Sequence, residues 1–301
     1  MNIVERAGRR LDAPPTKSLV ELAADRLTAT APGNMTADST AAGETRKRAG
    51  EDSGRETQRQ VTIDFERLRA MGYAPPADQS ALAEEFRLIK RPLLVNALSE
   101  TSSQRENRNV IMITSAAPNE GKTFVATNLA LSMASEHDIH VMLVDADVAK
   151  PSIPRLLGFE AEVGLVDAVA DATTDFADIL IRTNIENLAI LPAGRAKPGV
   201  SELLASGRMA RFVTDLSRRY PNRIIIFDSP PVLARSEPIV LAKHVGQIVL
   251  VVEAERTSRT AIDEALALLG PDRVSGVVLN KAPHIIGHEG FGQSYYGYYG
   301  T

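Results

Sequence analysis

One short loop constrains this chain more than any other feature. Ala116-Ala117-Pro118-Asn119-Glu120-Gly121-Lys122-Thr123 stands between an apolar, β-branched run, Val110 to Thr114, and a helical pattern that opens at Lys122 and continues through Asn128 to Met133. The run reads as a buried strand. The loop matches the phosphate-binding pattern Gly-x-x-x-x-Gly-Lys-Ser/Thr, with Ala116 in place of the first glycine. Backbone N–H groups of such a loop, together with the helix N-terminus behind it, point at phosphate oxygens. Lys122 would neutralise the β- and γ-phosphates, and the Thr123 hydroxyl would ligate Mg²⁺. Asn119 takes a tight position where a positive φ is tolerated better by Asn than by most residues. A chance Gly-Lys-Thr at a helix start would lack the strand and the loop, and here all three coincide. ATP and Mg²⁺ are the ligands implied. The expected nucleotide contacts are residues 116–123, Phe124 directly after them, and Asn280.

Further apolar runs follow at Val141 to Val144, Leu188 to Leu191, Arg223 to Phe227, Ile248 to Val252 and Val274 to Leu279. Helical stretches separate them, most clearly Met209 to Arg218 and Thr260 to Leu269. Continuous apolar strands alternating with helices predict an α/β fold of the P-loop NTPase kind: a mostly parallel sheet with helices on both faces. Two of these strands end in acid. Val144-Asp145-Ala146-Asp147 closes one and Phe227-Asp228-Ser229-Pro230-Pro231 closes another. At the C-terminal edge of a parallel sheet these carboxylates would sit beside the loop, where ligands of such sheets bind. Three carboxylates around one phosphate site need a cation, so Thr123, Asp145, Asp147 and Asp228 are the expected Mg²⁺ set. Lys122 and the three aspartates are the expected catalytic residues. Asn280, after the last strand, could bond an adenine edge or simply form a turn.

The flanks differ from this core. Residues 1 to about 27 scatter Ile3, Val4, Leu11, Leu19, Val20 and Leu22 among charges, as a short amphipathic helix would. Thr28 to Arg59 has almost no large apolar residue and is expected to be a disordered linker. Its Arg46-Lys47-Arg48 reads as a solvated cluster. Thr62 to Met71 predicts a short helix. Ser80 caps a longer one with Leu82, Phe86, Ile89 and Leu93 at helical spacing. At the other end, Gly287 to Thr301 is Gly- and Tyr-rich and is expected to be mobile. Tyr295, Tyr296, Tyr298 and Tyr299 are four of the chain's six tyrosines. His284 and His288, in a Gly- and Pro-containing stretch without other ligands, do not make a metal site. The expected domains are an N-terminal region 1–79, a P-loop domain 80–286 and a tail 287–301.

Several classes of function fall away. The formal net charge of −4 lacks the basic excess of a nucleic-acid binder. With no cysteine there is no disulfide, thiol nucleophile or thiolate metal site. Met1 to Arg10 carries charges where a signal peptide needs an apolar core. No apolar run reaches the ~18 residues that a bilayer span requires. A cytoplasmic place is expected, with a partner holding the chain at any membrane it serves.

From Leu82 to Thr301 the chain resembles the bacterial tyrosine autokinases of the exopolysaccharide type, in particular the branch beside exosortase (PEP-CTERM) polysaccharide loci. The resemblance rests on Pro118 to Thr123, on the Asp-x-Asp stretch Leu143 to Pro151, on Ile224 to Pro231 and on the terminal tyrosines. Leu191-Pro192-Ala193-Gly194 and Glu202-Leu203-Leu204 resemble the segment between. Glu84, Glu85 and Arg87 resemble the Glu-Glu-x-Arg helix with which the family assembles rings. Asn119 departs from the loop glycine, and Ala149-Lys150 from a basic pair. Lys90 and Pro92 stand where the ring motif has Arg and Asn, which bears on assembly more than on chemistry.

The resemblance implies ATP-dependent phosphorylation of Tyr295, Tyr296, Tyr298 and Tyr299 in neighbouring copies, in service of exopolysaccharide synthesis and export. It also implies partners: other copies of the chain in a homo-oligomer, a membrane chain-length regulator or co-polymerase as activator at the inner face of the plasma membrane, and a tyrosine phosphatase. Either Asp145 or Asp147 would take the tyrosine proton. The alternative is an ATP-switched positioning protein of the partition or division-site type. Such proteins carry a second lysine early in the loop, where this chain has Ala117, and lack a tyrosine tail. A scaffold without activity is a third reading, against which the intact Lys122, Thr123 and aspartates stand.

Overall fold

The computed structural model describes residues 59–98, 106–171, 173–174 and 176–283, all within one compact unit, Arg55–Thr301. The expected N-terminal helix and linker, the His284–His288 pair and the tail tyrosines lie outside the described residues. The chain runs β1 (Gln60–Val61), α1 (Phe65–Ala70), α2 (Ala81–Leu98), β2 (Val110–Ser115), α3 (Lys122–Ala134), β3 (His140–Asp145), α4 (Ile153–Leu157), α5 (Leu165–Ala170) and α6 (Phe176–Ile179). It continues through β4 (Ile181–Thr183), β5 (Leu188–Leu191), α7 (Val200–Leu204), α8 (Gly207–Arg219), β6 (Arg223–Asp228), α9 (Glu237–Leu241), β7 (Gln247–Glu253), α10 (Arg259–Leu269), a 3₁₀ turn and β8 (Val274–Asn280).

The strands form one sheet in the order β1-β4-β5-β3-β6-β2-β7-β8. Neighbours are parallel except β4 and β5. Alternation along each strand divides the apolar residues between two faces. Val110 and Met112 of β2 join Met142, Val144, Ile225 and Phe227 on one face, covered by α5, α8 and α10. Ile111 and Ile113 join Val141, Leu143, Ile224 and Ile226 on the other, covered by α2 and α3. Both faces are covered along β2, β3, β5, β6 and β7, which is why those strands read as unbroken apolar runs, whereas the edge strand β8 leaves Val277 and Leu279 exposed.

The expected boundary at residue 80 falls inside this packed unit. β1 pairs with β4, and Ile63 and Leu68 are almost fully buried in the α3 face of the core. Ala74 N–H donates to Asn128 Oδ1 at 2.8 Å, and the Tyr73 ring packs on Phe124 with centroids 5.0 Å apart. Such contacts link residues far apart in sequence, so local periodicity cannot reveal them. Leu68→Ala should lower the unfolding free energy by about 2–5 kcal/mol, read from urea midpoints at constant m-value. A change of less than 0.5 kcal/mol would place the segment outside the cooperative core.

Helix α2 starts where Ser80 Oγ accepts from Ala83 N–H, and it buries Phe86 and Leu93. Lys90 is buried beneath it, donating to Ser132 O at 2.8 Å and pairing with Glu136 at 2.6 Å. It therefore fastens α2 to α3 within the chain. Of the expected interface residues, Glu84 and Arg87 pair with each other, Arg87 also donates to Asp78 O, and Glu85 is exposed.

Candidate active site

β2, β3 and β6 end at the same sheet edge, and Asp145 lies directly opposite Asp228 in the β3–β6 register. The phosphate loop leaves β2 at this edge. Asn119 adopts φ 67°, the left-handed conformation expected of it, and Gly121 adopts φ 95°. Gly121 is also the N-cap of α3 and supplies no side-chain cap. The first-turn N–H groups thus have no side-chain acceptor, which is the arrangement that receives phosphate. A Cβ at Gly121 would stand 1.9 Å from Asn280 Nδ2, so only glycine fits.

The loop is braced on both sides. Asn280 Nδ2 donates to Glu120 O at 2.8 Å, and Lys281 Nζ donates to Asn119 O at 2.7 Å while pairing with Glu253 at 3.0 Å. Glu120 is buried, and its carboxylate accepts from Ala117 N–H at 2.8 Å and from the Thr257 hydroxyl. Two sequence expectations are refined here. Asn280 holds the loop through its amide N–H group, and Glu120 turns its carboxylate into the protein, leaving only its backbone to a nucleotide. Ala116 is fully buried and Phe124 half-buried. Phe124, Gly121 and Asn280 share a cavity of about 780 Å³ on one flank of the loop.

The acidic residues divide their tasks. Thr123 Oγ1 donates to Asp228 Oδ2 at 2.6 Å and lies 3.3 Å from Ser152 Oγ. Asp228 Oδ1 is buried and makes no hydrogen bond. Burial pushes the Asp228 carboxyl up to about 6, although Lys122 and the Thr123 bond pull it down. Burial, and then the Asp228 charge, push Asp145 up to about 7. Asp145 spends its oxygens on backbone: Oδ2 accepts from Ser152 and Ile153 N–H at 3.0 and 3.1 Å, Oδ1 from Asp147 N–H at 3.3 Å. Asp147 faces Lys122 instead, with Nζ 3.0 Å from Oδ2.

These residues fit a Mg²⁺ ion. An orphaned buried carboxylate oxygen beside a hydroxyl oxygen supplies hard donors where a phosphate would end. Mg²⁺ takes only one or two carboxylates and fills its octahedron with water and phosphate oxygens. That accords with the described residues holding no cluster of three or more His, Cys, Asp or Glu side chains fit to bind a metal by themselves. A second cavity, of about 540 Å³, lies on this flank, lined by Lys122, Thr123, Ser152 and Tyr73 together with Arg67, Lys150 and Arg155. Tyr73 and Ser152 escaped the sequence reading: one comes from a segment assigned elsewhere, and the other had no motif beyond its place after the Asp-x-Asp stretch.

Sheet order, loop and strand-end acids define a P-loop NTPase of the ParA-like class. A ParA family model, described as NUBPL iron-transfer P-loop NTPase, matches residues 106–189. The chain is 31% identical over 231 residues to the putative tyrosine-protein kinase CapB of Staphylococcus aureus, across 76% of this chain and 94% of CapB. It is 32% identical over 193 residues to the tyrosine-protein kinase wzc of Salmonella typhimurium, across 64% of this chain but 26% of that longer protein. The chimerical protein CapA2B2 superposes with TM-score 0.60 at 28% identity, over 75% of this chain and 94% of that one. The kinase domain of Escherichia coli ETK superposes with TM-score 0.59 at 25% identity, over 77% and 87%. The chain belongs to the bacterial tyrosine-protein kinase (BY-kinase) family. Among the described residues no helix is long and apolar enough to cross a membrane.

Proposed function

We propose that the chain transfers the γ-phosphoryl group of ATP to Tyr295, Tyr296, Tyr298 and Tyr299 of neighbouring copies, and that this regulates exopolysaccharide synthesis or export. The observation that carries the reading is the meeting of Lys122, Thr123, Asp147 and Asp228 beside one phosphate loop. In the transfer, the bond from the γ-phosphorus to its β,γ-bridging oxygen breaks and a bond to the tyrosine Oη forms, leaving ADP and phosphotyrosine. The phenol proton passes to a carboxylate. Asp147 suits that role better than Asp145, because Lys122 holds it at the phosphate end whereas Asp145 is committed to backbone N–H groups. Mg²⁺, held by Thr123 and Asp228, would supply positive charge to the phosphates. The chain itself contributes position and neutralisation, which is most of what phosphoryl transfer requires.

The biological setting follows the relatives. The match covers 26% of wzc, and a membrane co-polymerase would be the partner of this chain. That partner would recruit and activate the kinase at the membrane, and a phosphatase would reset it. Each phosphate adds about −1.5 to −2 charges. Four on a chain of formal charge −4 would favour separated subunits. Assembly would thus cycle with phosphorylation, through the exposed face of α2.

The test mixes active protein lacking residues 291–301 with full-length Lys122→Met protein. Phosphotyrosine should appear on the full-length tail at a rate that rises with concentration. Transfer in wild type that is indifferent to dilution, with none in the mixture, would place the reaction within one chain. ATP hydrolysis with no phosphotyrosine in any mixture would favour the positioning-ATPase reading.

A further inference from the structure

The cavity beside Lys122 and Thr123 carries three further cations at its wall. Lys122 has its counter-charge in Asp147 at 3.0 Å. Arg67, Lys150 and Arg155 line the same cavity, and among the described residues none of the three forms an ion pair. They are placed by structure rather than scattered. Arg67 Nη2 donates to Arg155 O at 3.1 Å, which draws α1 and α4 to one wall. Asp145 accepts from Ser152 and Ile153 N–H, fixing the start of the helix that carries Arg155. Lys150 N–H donates to Asp147 O at 3.0 Å and to Oδ1 at 3.2 Å, fixing the turn between them. Arg67, Lys150 and Arg155 are exposed, and Arg67 keeps further N–H donors beyond the one given to Arg155 O.

An anionic group with several acceptor oxygens suits this wall. The tail offers one. In an extended chain, residues two apart project to the same side about 7 Å from each other. Tyr296 and Tyr298 are two positions apart in the sequence. A phosphotyrosine brings three acceptor oxygens and close to two charges, which guanidinium groups bind in paired hydrogen bonds.

We propose that Arg67, Lys150 and Arg155 form a phosphotyrosine subsite beside the transfer site, so that the first phosphate placed on a tail positions the next tyrosine of that tail. The inference rests on the reading that the tail tyrosines are the acceptors. It makes phosphorylation of the cluster hierarchical: the first event is slow and later ones are faster, because the product of one transfer is a recognition element for the next. The tail segment from 291 to 301 has no acidic side chain of its own, so phosphorylation supplies its only side-chain negative charge.

The experiment compares initial rates of full-length kinase on three peptides spanning residues 291–301: one unphosphorylated, one phosphorylated on Tyr296 and one on Tyr298. At least one primed peptide should show a KM about tenfold below that of the unprimed peptide, and raising the salt concentration should erode the difference. Arg155→Gln and Lys150→Gln should abolish the preference while the unprimed peptide and ATP keep their KM values. If neither primed peptide is preferred, the subsite is refuted while the kinase reading stands on the unprimed rate. If the substitutions instead raise the KM for ATP and slow all peptides alike, the cations serve the nucleotide and the proposal fails. Absence of phosphate on any peptide would overturn the acceptor assignment itself.

Discussion

Lys122→Met should lower the rate of tyrosine phosphorylation by about 10²-fold or more. The magnitude follows from removing a largely buried, phosphate-facing cation, where charge stabilisation of the transition state is worth several kcal/mol. The structure adds a consequence for stability. Lys122 and Asp147 are 16% and 7% exposed at their side chains and pair at 3.0 Å. Removing the lysine alone leaves a nearly buried carboxylate without its partner, and breaking such a pair from one side is destabilising. Lys122→Met should therefore melt earlier than wild type, and Lys122→Met with Asp147→Asn should recover part of the loss. Both proteins should be inactive. Phosphotyrosine immunodetection after incubation with Mg·ATP, read beside thermal melts, separates the two effects. Normal autophosphorylation by the folded single variant would remove Lys122 from the machinery.

The site was legible where its chemistry is written into a local pattern. A strand, a glycine-containing loop and Lys122-Thr123 predict a phosphate seat because each part needs the other two. Asp145 and Asp228 were legible because each ends an apolar run, and the register places them side by side. What each side chain does there was not legible. Glu120 lies within the motif yet turns inward to Ala117 and to Thr257, and the second of these partners is 137 positions away. Asn280 braces the loop because Gly121 leaves room for its amide. The segment carrying Ile63, Leu68 and Tyr73 reads as a short helix ahead of the expected domain, and nothing local shows where its few apolar residues bury themselves. They do so against α3 and the edge of the sheet. The two-residue β1 and three-residue β4 are too short for any periodicity to register. The antiparallel β4–β5 pair was hidden for the same reason.

Asp228→Asn should separate function from stability in the opposite sense to Lys122→Met. Asp228 is fully buried, its Oδ2 accepts from Thr123, and its Oδ1 has no partner. Without a metal ion, burial makes the ionised carboxylate oppose folding despite the pull of Lys122 and the Thr123 bond. Its folded pKa lies above the unfolded value, mainly through burial. The sign follows from linkage: such a group favours the folded state below the unfolded value and loses that contribution as pH rises through the folded one. That window runs from the ordinary carboxylate value of about 3.9 to about 6. In chelator at pH 8, Asp228→Asn should therefore have a higher denaturant midpoint than wild type, and the gap should close as the pH falls through 6 towards 5. Asparagine can still accept the Thr123 hydroxyl bond, so the helix start is kept. Adding Mg²⁺ and ATP should reverse the ranking. Ligands that bind only the folded protein stabilise it by mass action, and the variant lacks the charge that orients the metal. Phosphorylation should fall by about 10²-fold, a loss of one electrostatic contact in the transition state, and excess Mg²⁺ should restore little of it. A variant that melts below wild type in chelator at pH 8, yet phosphorylates normally at low Mg²⁺, would show that Asp228 is a structural cap on β6 and not the metal-binding carboxylate.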